Sequence, residues 1–159
     1  MAVPGTQLGA QVAALHLVIK GMVGEGLYQG LARVALDIQS EAQKGAPIDT
    51  GNLRGSAFTV GAKRPGMTRV LRTPRPKRPA PEPAAIDRAV QETLAYVNSV
   101  RGPIVVTGFG ASYGEIVHEG DPNKNWHKGA PQFVTRAIQG QIPRARKVIE
   151  MEMVKRLPR

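Results

Sequence analysis

The sequence predicts an α+β fold: a small mixed or antiparallel sheet packed against long N-terminal and C-terminal helices, with a Pro/Arg-rich loop. Three observations lead there. Apolar residues recur at helical spacing through Gln7–Lys44 and in two later stretches, while Ser56–Ala62 and Ile104–Phe109 are short β-rich runs. A chain of 159 residues can bury one core, so a single domain spanning 1–159 is expected. Between the β-rich runs lies proline-dense basic chain that suits neither a helix interior nor a central strand.

The N-terminal stripe comprises Leu8, Val12, Leu15, Ile19, Met22, Val23, Leu27, Leu31, Val34, Ile38 and Ala42, which is one long helix or two stacked ones. Gly21, Gly24, Gly26 and Gly30 each cost such a helix about 1 kcal/mol relative to alanine, and a break near Gly24 is expected. His16 beside the stripe reads as a packed or solvated side chain. Leu8–Met22 is broken by Lys20, too short and glycine-rich for a membrane span, and lacks the basic leader of a signal peptide. A cytoplasmic place of synthesis and assembly is expected.

The helical pattern hands over to a sheet pattern within Gly45–Ser56. Gly45 can take the left-handed conformation that closes a helix, and Pro47 cannot continue one. The Asp49 carboxylate can cap a tight turn through Thr50 and Gly51, where glycine tolerates positive φ. Leu53 is expected to plug into the core, and Arg54 to point outward. Ser56–Ala62 then reads as a strand, with Phe58 and Val60 on one face and Ala57 and Thr59 on the other.

Lys63–Pro83 carries seven basic residues and six prolines, with no acid before Glu82. Met67–Leu71 can form a short strand; residues 73–81 can only be extended polyproline-like chain or disorder. Arg69, Arg72, Arg75, Lys77 and Arg78 are therefore either a solvated loop or an interaction arm for an acidic neighbour or DNA phosphates. Ala84–Val100 is helical through Ile86, Val90, Leu94 and Val97. The apolar run Ile104–Phe109 predicts a central strand covered on both faces. Tyr113, Ile116 and Val117 share one face of a short helix that Gly120 ends. Trp126, on a polar turn-rich stretch, either folds back to cover the core or marks a contact with another subunit, and the contact is preferred. Pro131 suits a helix N1 position ahead of Phe133, Val134, Ala137 and Ile138. Gly140 and Pro143 are expected to bend or divide this last helix, leaving 144–159 able to project.

Chemistry finds little purchase. There is no cysteine for a disulfide or a thiolate site. His118, Glu119, Asp121 and His127 offer nitrogen and oxygen ligands but no metal-binding spacing, so no metal or cofactor is expected. Ser56, Ser99 and Ser112 lack the setting of a nucleophile, and the glycines at 108 and 110 do not open a P-loop, so no enzyme is expected. A net charge of +10 predicts attraction to polyanions or acidic surfaces, while aromatics at 4% argue against a base-stacking platform.

Three blocks point further. Ala46-Pro47-Ile48-Asp49-Thr50-Gly51-Asn52-Leu53-Arg54-Gly55-Ser56 resembles the hallmark string of the tailed-phage neck or tail-completion proteins, which join head to tail. Tyr113-Gly114-Glu115-Ile116-Val117-His118-Glu119-Gly120 is similar to that family's second block, with Gly114 where the family carries alanine. Gly129-Ala130-Pro131-Gln132-Phe133-Val134-Thr135-Arg136-Ala137-Ile138 is similar to its third.

The resemblance implies a structural virion protein in the neck, assembled in the host cytoplasm as a hexameric ring around the DNA channel, without chemistry. It implies as partners other copies of the chain and adjoining head-closure, tail-terminator or tail-tube proteins, with non-specific DNA contact and no membrane. The motif residues it marks are Pro47, Asp49, Thr50, Gly51, Leu53, Arg54, Ser56, Tyr113, Val117, Glu119, Gly120, Pro131, Phe133 and Ala137. A tail-terminator ring protein and a basic nucleic-acid-binding protein are the alternatives. At the first block, Asp49→Ala is expected to cost about 1 kcal/mol through the lost cap, and Gly51→Val to cost more. Thermal melts of the two variants check this.

Overall fold

The computed structural model describes residues 24–48, 51–76, 82–120, 126 and 128–155. The stripe Leu8–Met22 with His16, and Asp49, Thr50, Lys77, Arg78, Asp121 and His127, lie outside the described residues. Helix α1 (Glu25–Gly45) is followed by the single turn α2 (Asn52–Gly55), strands β1 (Ala57–Ala62) and β2 (Thr68–Arg72), and helix α3 (Pro83–Ser99). Strand β3 (Ile104–Phe109), the short α4 (Gly114–His118) and the long α5 (Phe133–Val154) complete the order. The class is α+β with a three-stranded antiparallel sheet.

The sheet order β2-β1-β3 corrects one expectation: β1 is the central strand and β3 an edge. The continuous apolar run of β3 reflects cover on both faces rather than a central position. Alternation along β1 assigns the layers. Ala57, Thr59 and Gly61 face α1, while Phe58, Val60 and Ala62 join Ala89 and Val97 of α3 in a second cluster. The pairing of Thr59 with Arg72 and of Val60 with Val70 leaves Leu71 as an extra residue in β2, a bulge. Leu71 then packs on the α1 side, and Arg72 reaches Ser40 and Gln43 of α1 at 3.5 and 3.3 Å.

A buried polar seam crosses the α1 face of the sheet. The Thr59 hydroxyl lies 2.8 Å from Gln39 Oε1 and 3.0 Å from Thr107 Oγ1, and Thr107 donates to the Phe58 carbonyl. Such a seam fixes strand register, because a slip would strand polar atoms in an apolar layer. Burial also pushes the Tyr28 phenol above its ordinary pKa. Its ring is covered by the Lys63 ammonium at 5.6 Å.

The long helices meet through glycine. A Cβ on Gly26 would stand 2.6 Å from Met153 Cα, and one on Gly30 2.7 Å from Ile149 Cα. These glycines, which weaken an isolated helix, let α5 lie directly on α1. The contact is closed by Glu152, a buried carboxylate held by Arg33 at 3.1 Å and Lys155 at 2.9 Å. The backbone at Gly24 is extended and α1 starts at Glu25; whether a helix precedes the expected kink or break lies outside the described residues.

The C-terminal helix lies mainly on α1, touching the sheet through Phe133, whose ring meets Phe109 edge-on at 5.2 Å. It is not divided: α5 runs unbroken from Phe133 to Val154 with Pro143 inside it. Pro143 and Gln139 are both exposed, so the carbonyl left without an N–H partner can be hydrated. Pro131 precedes the helix instead of opening it, and Gln132 at φ 55° is the N-cap. Among the described residues no helix is long and apolar enough to cross a membrane. Gly30→Val should force α1 and α5 apart and cost about 1–3 kcal/mol. Gly24→Ala, with nothing within 4 Å, should leave the denaturation midpoint unchanged.

Candidate functional site

The three sequence blocks meet at one pole of the molecule, where α1 ends. Gly45 does not turn left-handed. It remains in the helix, and Ala46 leaves it in extended conformation at φ −61°, ψ 138°, ahead of Pro47. The reason lies in how the terminal carbonyls are satisfied. Arg54, expected to point outward, turns back over the helix end. Its Nη2 donates to Lys44 O and Ala46 O at 2.7 Å each, and its Nε donates to Ala46 O at 2.9 Å. A guanidinium here also faces the negative end of the helix dipole. Gln43 returns the contact, donating to Arg54 O at 2.8 Å.

Arg54 is placed by α2. Gly51 is left-handed at φ 78°, as the motif requires, and Leu53 is buried in the core. The Ser56 hydroxyl donates to Leu53 O at 2.8 Å and closes the turn.

The third block bonds directly to the first. Ala130 N donates to Gly45 O at 3.0 Å, and Ile48 N to Lys128 O at 3.1 Å. Gly129 at φ 86° lies so close that a Cβ there would be 2.5 Å from Pro47 N, and Phe133 Cβ sits 3.3 Å from the Cβ position of Gly45. Ala137, one turn further on, is buried in the same core.

The second block is tied to both. Gly110 N donates to Ser56 O at 3.0 Å, and Gln132 N to His118 O at 2.7 Å. Glu82 accepts from Ser112 N at 2.9 Å, which fastens the start of α3 to the turn before α4. Tyr113 and Val117 pack on the main core, but Ile116 does not share their face; it is 76% exposed. Five residues of helix present too narrow a face to bury all three. Trp126 is half-buried and lies against Gly120, where a Cβ would meet its Cζ2 at 2.8 Å.

The basic segment starts at the other end of β1 and returns to this pole at Arg75. Arg75 N donates to Gly55 O at 2.6 Å, and a Cβ on Gly55 would fall 2.6 Å from Arg75 O. Residues 73–76 have no regular secondary structure and are held to the turn at Gly55. Arg69 and Arg75 are exposed, whereas Arg72 is half-buried against α1.

Thr135, His118 and Glu119 form a chain of contacts, with Thr135 Oγ1 3.4 Å from Nε2 and Glu119 Oε1 3.0 Å from Nδ1. The order is that of a hydroxyl–imidazole–carboxylate relay. However, the imidazole is only 8% exposed and lies edge-on to Phe133 at 5.3 Å. We read it as a clamp between α4 and α5. Among the described residues no group of three or more His, Asp or Glu side chains converges as metal ligands.

Sequence reasoning missed the inward turn of Arg54 and the Gly45–Ala130 bridge. The only signal for either was an arginine at fixed distance from a helix stop. Arg54→Ala is expected to lower stability by about 1.5–3 kcal/mol, because its hydrogen bonds are charge-assisted. Arg54→Lys should restore only part, since an ammonium lacks the planar fork; denaturant midpoints of both variants check this. No protein family, characterised protein or solved structure was found to match the chain.

Proposed function

We propose that this chain is a structural protein of the neck of a long-tailed phage virion, one subunit of a hexameric ring that joins head to tail around the DNA channel. One observation supports the reading above others. Three blocks that resemble that family's motifs, far apart in sequence, are gathered at a single pole by backbone hydrogen bonds, directly between the second and third and elsewhere through the adjoining Gly45, Gly110 and Lys128. On this reading the motif residues are there to build a rigid shape and perform no chemistry. A ring subunit presents two different surfaces to its neighbours and closes by rotation. Trp126 is assigned to a subunit contact, and Arg69, Arg72, Arg75, Lys77 and Arg78 to the arm that meets an adjoining ring of head-closure, tail-terminator or tail-tube protein. Assembly takes place in the host cytoplasm. A tail-terminator ring is the nearest variant of the same reading.

A basic nucleic-acid-binding protein is the second reading, favoured by the net charge of +10 and by exposed Arg64, Arg69 and Arg75. The two readings part on salt. Replacing Arg72, Arg75, Lys77 and Arg78 with serine should leave the domain folded and lower the yield of joined, infectious particles. The parent protein should bind duplex DNA weakly, without sequence preference, and lose that binding at physiological salt. Salt-resistant or sequence-selective DNA binding, with assembly untouched by the substitutions, would overturn the neck reading of the arm. Particle images showing a lone subunit at an off-axis position would overturn the ring.

A further inference from the structure

Helices α1 and α5 touch closely at Gly26 and Gly30, and at the other end Phe133 packs beside Gly45 next to the 128–130 bridge. At that end lies an open groove of about 550 Å³ whose walls include Glu41, Phe133, Arg136, Ala137, Gly140 and Arg144. Its floor is small and apolar, and its α5 rim is basic. Neither Arg136 nor Arg144 has an ion-pair partner among the described residues. On the opposite rim, Glu41 is neutralised by Lys44 at 2.7 Å.

Gly140 sharpens the case. It lies inside α5, its φ is not positive, and an added Cβ would meet nothing within 4 Å. A helix-interior glycine costs stability relative to alanine, and nothing among the described residues requires it. Arg136, Gly140 and Arg144 follow at four-residue intervals, so both guanidinium groups rise from one side of the helix, about 12 Å apart along its axis. The glycine keeps the groove open between them.

We propose that this groove docks a short segment of a partner protein carrying two carboxylates about 12 Å apart with an apolar side chain between them. Each arginine takes one carboxylate as a planar, two-pronged pair, and the apolar side chain rests on Phe133 and Ala137 beside Gly140. A nucleic-acid backbone fits less well, because its repeated phosphates carry no apolar side chain between them and would leave the apolar floor unused. The proposal stands on geometry and charge and does not rest on the neck reading.

The test is selection of a random 12-residue peptide display library against the full chain. Recovered sequences should be rich in Asp and Glu around a Leu, Phe or Trp. A synthetic peptide of the recovered sequence should bind at least tenfold more weakly to the Arg136→Glu/Arg144→Glu double variant. Gly140→Phe should weaken binding as much by filling the groove, while its melting temperature stays level or rises. The proposal is overturned if no sequence family is recovered, or if the recovered peptides lack acids. It is equally overturned if they bind both variants as well as the parent, or if duplex DNA displaces them through the same arginines. Each of these outcomes leaves the particle-imaging test of the neck reading unaffected.

Discussion

The last carbonyls of α1 are the constraint on which the rest of the structure depends. A helix end leaves acceptors that must find donors, and inside a protein those donors have to come from other parts of the chain. Here Lys44 O and Ala46 O take the Arg54 guanidinium, and Gly45 O takes Ala130 N. Satisfying one helix terminus therefore fixes where α2 sits, where β1 begins and where the chain enters α5. Gly129 must then pass against Ala46 and Pro47, and only a residue without a side chain at positive φ can do so.

From this pole outward, order is carried by α1 itself. One side of it lies on the sheet through Gln39 and Thr59, and another lies on α5 through Gly26 and Gly30. The two contacts differ in kind. The sheet contact is polar at its centre and specifies register, whereas the α5 contact is a backbone approach whose strength comes from dispersion over closely fitted surfaces. The groove beside Gly140 lies at the end where the 128–130 bridge and Phe133 meet α1. The surfaces left for partners are then distinct: a basic edge along β2 and Arg75, exposed Ile116 on α4, and the groove with its two arginines.

Much of this was legible in the residues, for a definite reason. Periodicity records which side of an element is apolar, so α1 from Leu27 on, the two faces of β1, the helix Pro83–Ser99 and the core positions Phe133, Val134 and Ala137 could be read directly. Backbone chemistry is equally local, which is why the positive φ of Gly51 could be anticipated. Ile116 marks the limit of periodic reading: in so short a helix, spacing alone does not bury a side chain.

The sequence by itself determined the α+β class, the periodic faces and the place where helix gives way to strand. Tertiary structure alone decided that β3 is an edge, that Pro143 is tolerated within α5, that Arg54 turns inward, and that Gly26 and Gly30 form a contact surface. Each of these depends on what lies across from a residue. A covered edge strand reads like a central one, a proline is tolerated when its orphaned carbonyl meets water, and a glycine looks like a weakness until another backbone is laid against it. Those partners come from sequence positions tens of residues away, and local spacing carries no record of them.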